Sequence, residues 1–206
     1  MRRQRARALL VDLDGVLRHV PDIKLQEIEQ RYGMEPGRLL DTATVWGRMQ
    51  PALVGEVSHA QWMSVVADEL TFAAGGPERA RAAVHEWQAE RGVVDQSMLA
   101  FLRDVRAAGL PVGIATNGTD ALPADLDALG LTGEVDVVVN SSVVGVHKPA
   151  KGFFVAACQA LQLPPSLVFF IDADDRAVRG ARAAGLSALR WSGPDDLRYV
   201  RAALDL

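Results

Sequence analysis

The chain has 206 residues, of which 49% are apolar and 23% charged, an ordinary composition for a globular protein that does not indicate a long disordered segment. Its formal net charge of -4 argues against a nucleic-acid binder, which would carry a concentrated basic face. No apolar run approaches the ~20 residues of a membrane span, and the N-terminus lacks a secretory pattern. We therefore expect a cytoplasmic protein without membrane or nucleic-acid partners, with its one cysteine, Cys158, reduced and buried.

The first predicted element is a strand from Ala8 to Val11, and two carboxylates follow it directly, Asp12 and Asp14. Two acidic residues this near to each other in sequence, directly after an apolar strand, cannot both be buried in the hydrophobic core. We therefore expect both side chains to point into a cleft at the end of the strand. Paired carboxylates in different environments suit divalent-cation binding, nucleophilic attack and proton transfer. A solvated strand end with two incidental acids is the alternative.

About a hundred residues separate this strand from the next, far more than a simple crossover needs. Their apolar pattern predicts helices over 24–32, 36–42, 59–70 and 78–90. We interpret 18–92 as a helical insertion, whose tryptophans form a small core, above a main domain made of 1–17 and 93–206. An insertion at this point overhangs the carboxyl ends of the strands, where open α/β sheets place their ligand sites.

The rest of the chain alternates between strand and helix patterns. Further strands are predicted at 112–115, 135–139, 167–171 and 187–191. Helices are predicted between and after them at 95–108, 121–129, 152–161, 177–184 and 195–204. Short, nearly continuous apolar strands that alternate with helices indicate an α/β fold with a parallel sheet between two helical layers.

Polar residues recur where the second strand ends, at Thr116, Asn117 and Gly118. A hydroxyl, an amide and free backbone N–H groups at the start of a helix form a natural phosphate site. A plain turn with Thr119 as a helix cap is the alternative.

Two later segments carry charge after a strand. Lys148 can neutralise phosphate oxygens and hold a carboxylate ionised, although most lone lysines lie on the surface. The fourth strand is followed by Asp172, Asp174 and Asp175, which suggests a cation site or a solvated turn. The order of these polar groups along the chain is harder to explain by chance than any single one.

These residues together resemble the motifs of the haloacid dehalogenase superfamily, and the resemblance spans nearly the whole chain. The stretch from Asp12 to Leu17 matches the family's first motif, Thr116 the second, Lys148 with Pro149 the third, and 172–185 the fourth. The insertion is similar to the cap of the subclass that places its cap after the first motif. The resemblance implies a Rossmann-like three-layer core with a parallel sheet, and a small all-helical cap over the active site.

The resemblance also implies catalytic roles. Asp12 would attack phosphorus and form an aspartyl-phosphate, while Asp14 would protonate the leaving oxygen and then act as base on water. Thr116 would bind a phosphoryl oxygen, and Lys148 would balance the charge of Asp12 and the phosphate. An anionic nucleophile that attacks an anionic phosphate needs positive charge between them, which Mg²⁺ and lysine supply.

The implied magnesium ligands are Asp12, the main-chain carbonyl of Asp14, and an acid of the fourth motif, for which we choose Asp172. The neighbouring position, an acid in many relatives, is Ala173 here, so the metal site is the weakest part of the match. Asn117 and Gly118 are expected to bind substrate.

The leading interpretation is a Mg²⁺-dependent phosphatase for a small phosphorylated metabolite, such as a sugar phosphate or a nucleotide. A metal-independent haloacid dehalogenase needs Asp12 but not a second acid, so Asp14 argues against it. A phosphoryl-transferring mutase, and a regulatory binding protein that has lost turnover, remain alternatives; Ala173 favours the latter. The histidines are expected to be surface or core residues rather than catalysts. For His19, which follows the first motif where the chain turns into the cap, a place in the pocket wall is the alternative.

Overall fold

The computed structural model describes residues 5–206; the first four residues of the proposed 1–17 segment lie outside this range. The strands, in chain order, are β1 (Ala8–Val11), β2 (Arg18–His19), β3 (Val93–Val94), β4 (Val112–Thr116), β5 (Val137–Asn140), β6 (Val168–Asp172) and β7 (Ser187–Arg190). Five of them form a parallel sheet in the order β5-β4-β1-β6-β7. The structure confirms the predicted α/β, Rossmann-like fold class, with strand positions within two residues of the predicted ones.

The helices flank this sheet or form the insertion after β1. In chain order they are α1 (Asp22–Tyr32), α2 (Arg38–Ala43), α3 (Trp46–Leu53), α4 (His59–Leu70), α5 (Pro77–Ala89), α6 (Gln96–Ala107), α7 (Leu122–Ala128), α8 (Ser141–Val144), α9 (Lys151–Ala160), α10 (Asp175–Ala183) and α11 (Leu197–Leu204). Short 3₁₀ turns precede β6 and α11. None of the helices within 5–206 has the length and apolar character that crossing a bilayer requires.

Two hydrophobic cores lie on opposite faces of the sheet, because successive side chains of a strand point to opposite faces. Leu9 and Val11 of β1 pack on the face covered by α6, α7 and α11. Ala8 and Leu10 pack on the other face, against α9 and α10, where Cys158 is buried as expected. All four β1 side chains are therefore buried, as befits the central strand.

The central position of β1 brings three strand ends together. Val11 pairs with Ile114 of β4 on one side and with Ile171 of β6 on the other. Because the strands are parallel, Asp12, Thr116 and Asp172 all fall at the same edge of the sheet. This edge is where the sequence predicts the active site.

The insertion after β1, α1 to α5, has its own apolar cluster, which includes Ile28, Leu39, Val66 and Val84. We call this unit the cap. The chain enters and leaves it through β2 and β3, which pair antiparallel with Arg18 opposite Val94. The exact division of the chain at residues 18 and 92 stays a prediction.

Candidate active site

The centre of the site is a lysine that bridges two buried carboxylates. Nζ of Lys148 lies 2.9 Å from Oδ1 of Asp12 and 2.6 Å from Oδ2 of Asp172. All three residues are almost completely buried. One ammonium between two carboxylates leaves the cluster with a net charge of -1 when all three groups are ionised, so the site attracts a further cation.

Asp12 is held in one orientation with one oxygen left over. Oδ1 accepts a hydrogen bond from the Leu13 backbone N–H at 2.8 Å, in addition to its contact with Lys148. Within residues 5–206, no protein donor reaches Oδ2. Burial raises the pKa of the Asp12 carboxyl to about 6; the Lys148 ammonium opposes this rise, and the Asp172 charge adds to it. Oδ2 is therefore the Asp12 oxygen that remains available to a ligand.

Lys148 is positioned by the segment that follows β4. Its backbone N–H donates to Oδ1 of Asn117 at 2.7 Å, and its carbonyl accepts from Nδ2 of Asn117 at 3.1 Å. On the other side, α10 packs so closely that a Cβ atom at Gly180 would lie 2.4 Å from the carbonyl oxygen of Pro149. Burial alone would lower the pKa of Lys148, but the charges of Asp12 and Asp172 raise it above its ordinary value, so the side chain is cationic.

The Asn117 contacts bear on its predicted role. Both polar groups of its amide are engaged by the Lys148 main chain, and the backbone N–H of Gly118 donates to Oγ of Ser141 at 3.1 Å. The helix predicted over 121–129 begins at Leu122, so Asn117 and Gly118 lie in the loop before it. Substrate binding by Asn117 and Gly118 stays a prediction, whereas the structure shows both groups organising the loops. Thr116 is buried at the end of β4, and no hydrogen bond engages its hydroxyl within 5–206.

The carboxylate of Asp14 belongs to a charge network with Arg18. Nε and Nη2 of Arg18 donate to its two carboxylate oxygens at 2.7 and 3.0 Å. Arg18 also lies 3.5 Å from Asp125, which in turn pairs with Arg91. Arg18 was not predicted as a site residue. Residues 14–18 form a turn and not a helix, so the sequence carries no local signal that Arg18 pairs with Asp14.

The structure separates the acids that follow β6. Asp172 points into the site, and its Oδ1 accepts from the backbone N–H of Asp174 at 2.7 Å. Asp174 caps α10 through the N–H of Arg176 at 2.8 Å, and Asp175 pairs with Arg179 on the surface. Of these three acids, the structure brings Asp172 alone to Asp12 and Lys148.

The donor set suits a hard divalent cation held by few protein ligands. Asp12 and Asp172 would supply carboxylates, and the main chain at Asp14 would supply a carbonyl oxygen; this ligand set stays a prediction. Mg²⁺ prefers oxygen ligands and is commonly bound by one or two carboxylates with several waters. In the described part of the chain, no group of three or more His, Cys, Asp or Glu side chains is placed to hold a metal ion. The residues therefore fit a magnesium site with two carboxylates, not one with three.

A cavity of about 410 Å³ lies between the cap and the carboxyl ends of the strands. Core residues in its wall include Asp14, Arg18, Thr116 and Asn117. Cap residues in its wall include Leu25, Leu40, Met49, Leu53, Trp62 and Trp87. The prediction that these tryptophans serve the cap core is incomplete, because Trp62 and Trp87 pack against that core and also face the cavity.

His59 at the start of α4 joins the cap to the core. Its Nδ1 lies 3.1 Å from Oγ1 of Thr119, and its Nε2 lies 3.1 Å from Oε1 of Gln88. Its backbone N–H donates to Oδ1 of Asp120 at 2.6 Å. His59 is a half-buried residue with structural contacts, as expected of the histidines, but local pattern gives no signal of its partners because Gln88 lies 29 residues away and Thr119 lies 60. His19 lies outside the cavity wall, 3.6 Å from Asp95.

Comparison with known proteins identifies the family to which this chain belongs. The haloacid dehalogenase-like hydrolase family matches residues 6–185. A Mycobacterium tuberculosis protein named as a phosphatase is 31% identical over 205 residues, covering 88% of this chain and 85% of the relative. The chain therefore belongs to the haloacid dehalogenase-like hydrolases and is a hydrolase.

Solved structures share the fold. A haloacid dehalogenase family enzyme from Bacteroides thetaiotaomicron, in complex with magnesium and inorganic phosphate, superimposes with a TM-score of 0.75 at 18% identity, over 95% of this chain and 98% of the other. The L-2-haloacid dehalogenase from Xanthobacter autotrophicus, with chloropropionic acid covalently bound, superimposes with a TM-score of 0.66 at 21% identity, over 96% and 83%. At these identities the likeness establishes the fold.

Proposed function

We propose that this protein is a Mg²⁺-dependent phosphatase that hydrolyses a small phosphate monoester through an aspartyl-phosphate on Asp12. The observation that carries the proposal is the state of Asp12, whose Oδ1 is fixed by Lys148 and the Leu13 N–H while its Oδ2 is unbonded. The phosphatase name of the Mycobacterium tuberculosis relative supports the reaction class.

In the first step, Oδ2 of Asp12 forms a bond to phosphorus as the bond to the ester oxygen breaks. Lys148 offsets the negative charge that the nucleophile and the phosphoryl group bring together. Thr116, at the end of the neighbouring strand, donates its free hydroxyl to a phosphoryl oxygen. Asp14 enters this step protonated and gives its proton to the leaving alcohol, which leaves the carboxylate that pairs with Arg18.

In the second step, water attacks phosphorus while Asp14 takes the proton from that water. The bond between phosphorus and Oδ2 breaks, inorganic phosphate is released, and Asp12 is regenerated as a carboxylate. The cap covers the cavity, which limits access of bulk water to the site.

Asp12, Asp172 and the Asp14 carbonyl are the groups that would hold Mg²⁺. When bound, the ion would neutralise the phosphoryl oxygens and add to the positive charge that Lys148 provides. The magnesium and phosphate complex of the Bacteroides thetaiotaomicron enzyme, which shares this fold, supports this choice of metal.

The test is hydrolysis of 4-nitrophenyl phosphate by purified protein, with Mg²⁺ and with EDTA. We expect turnover that needs Mg²⁺ and falls at least about a thousandfold in Asp12→Asn, because the amide is a very poor nucleophile. Asp175→Asn is the matched control, since Asp175 lies on the surface beside Arg179 and should leave the rate unchanged. Full activity in Asp12→Asn would overturn the proposal.

A second candidate, metal-independent dehalogenation, is favoured by one observation: Lys148 already offsets the charge of Asp12 without a metal. The same preparation should therefore be incubated with 2-chloropropionate in EDTA. We expect no halide release, because Asp14 serves proton transfer to an alcohol and has no use in halide displacement. Release of chloride that depends on Asp12, without phosphate ester hydrolysis, would replace the proposed function with this one.

A further inference from the structure

The cap side of the cavity is built mainly from apolar side chains. Those in its wall include Leu25, Leu40, Met49, Leu53, Trp62 and Trp87, beside the polar Asp22 and His59. Leu122 and Leu13 continue the apolar surface on the core side. A volume of about 410 Å³ is at the small end of the range for ligand pockets and suits one ring or a short branched chain.

The charged and amide side chains in the wall are mostly engaged by other protein groups. Arg18 is shared between Asp14 and Asp125, and both amide groups of Asn117 bind the Lys148 main chain. Saturated groups of this kind offer a ligand few additional hydrogen bonds.

The histidine in the wall is engaged in the same way. Both ring nitrogens of His59 have partners, Oγ1 of Thr119 and Oε1 of Gln88. As far as residues 5–206 show, the wall side chains that keep unbonded polar atoms are Thr116, which we assign to the phosphoryl group, the exposed Asp22, and Trp87 with its indole N–H. The part of the cavity beyond the phosphoryl group therefore presents mainly apolar surface with few free hydrogen-bonding groups.

This surface discriminates between leaving groups. A polyhydroxylated group would lose its hydrogen bonds to water on entry, and the wall would replace few of them. An apolar leaving group has no hydrogen bonds to water to lose, and its burial against leucine and tryptophan side chains is favourable. Resting on the proposed function, we propose that the substrates of this site are phosphate monoesters with an apolar, aromatic or branched aliphatic leaving group, in preference to sugar phosphates.

The experiment compares benzyl phosphate with glycerol 3-phosphate and glucose 6-phosphate in the presence of Mg²⁺. All three are esters of primary alcohols, so differences in intrinsic reactivity are small and kcat/KM reports recognition. We expect benzyl phosphate to be preferred by at least about tenfold. Hydrolysis that favours either polyol ester would overturn this inference and leave the proposed function standing. No hydrolysis of any ester would overturn the proposed function, and this inference with it.

A pair of matched variants tests the wall itself. Leu40 faces the cavity and Val65 does not; both lie on cap helices and are 44% and 45% exposed, so glutamine at either position is compatible with folding. Leu40→Gln should lower the preference for benzyl phosphate over glycerol 3-phosphate by about threefold or more, because one apolar contact becomes polar. Val65→Gln should leave the preference as it is. An equal preference in the wild type and Leu40→Gln would contradict the assignment of the wall.

Discussion

The Nζ atom of Lys148 lies 2.9 Å from Oδ1 of Asp12, and both side chains are buried. The contact leaves the second oxygen of Asp12 without a protein donor among the described residues. This oxygen is not sealed in the interior: among residues 5–206 the buried side-chain atom without a partner is Oγ of Ser142. Oδ2 of Asp12 is therefore both unengaged by protein and accessible, which suits a contact with a ligand.

Replacing Lys148 with methionine removes the cation shared by Asp12 and Asp172. We expect the free energy of unfolding at pH 7.5 to fall by about 3 kcal/mol, because two buried carboxylates then lack a partner. Urea denaturation measures the change. Lys151→Met, at an exposed lysine of α9, is the control and should change stability by less than about 0.5 kcal/mol. Equal stability of Lys148→Met and the wild type would show that the carboxylates do not depend on this lysine.

Magnesium affinity should depend on pH through Asp12. Its pKa is raised to about 6, so the carboxylate is ionised above this value and protonated below it. Because Mg²⁺ binds the ionised form, its apparent association constant should be level above about pH 7 and fall about tenfold per pH unit below pH 6. Calorimetric titration at pH 5, 6 and 7.5 tests this. An affinity that is the same at all three values would argue against Asp12 as a ligand.

Ala173 occupies a position where an acid could add to the metal site. Its methyl group faces the turn of the first motif, since a Cβ atom built on Gly15 would lie 3.1 Å from it. We expect Ala173→Asp to strengthen Mg²⁺ binding by about tenfold, because affinity rises with the number of charged ligands. Ala173→Asn, of similar size without the charge, is the control. Unchanged or weaker binding in the aspartate variant would mean that the ion is held away from this turn.

His59 should contribute to holding the cap on the core. His59→Phe keeps a ring beside Trp62 but removes the hydrogen bonds to Thr119 and Gln88. We expect KM to rise about threefold or more and amide exchange at the start of α4 to become faster, because the cap loses a hydrogen bond to the core. His85→Phe, at an exposed cap position, should change neither. Normal exchange in His59→Phe would place the docking energy elsewhere.

The sequence was sufficient to predict helices and strands whose local residue pattern agrees with their burial in the structure. Helix α4 has the predicted bounds, and its start is fixed by a capping box in which Ser58 and Gln61 exchange hydrogen bonds. The strands before Asp12 and Asp172 were predictable because strands buried on both faces leave continuous apolar runs. Their parallel order then fixes which side chains share an edge.

The sequence was insufficient where contacts are distant or local propensity is overridden. Helix α3 was not predicted, and it contains Pro51, which removes a backbone donor and ordinarily marks a break. The β2–β3 pair was not predicted because each strand has two residues and the pairing joins segments far apart. The partners of His59 depend on how the cap docks, which no local pattern records.

The β2–β3 pair has a consequence for how the cap can move. Arg18 belongs to β2, where the chain crosses into the cap, and it also grips the carboxylate of Asp14 with two hydrogen bonds. A hinge motion of the cap about the β2–β3 pair would displace Arg18, which orients the proposed general acid Asp14. The position of the cap and the orientation of Asp14 would then be coupled, so that Asp14 is oriented for proton transfer only in the closed state of the cap.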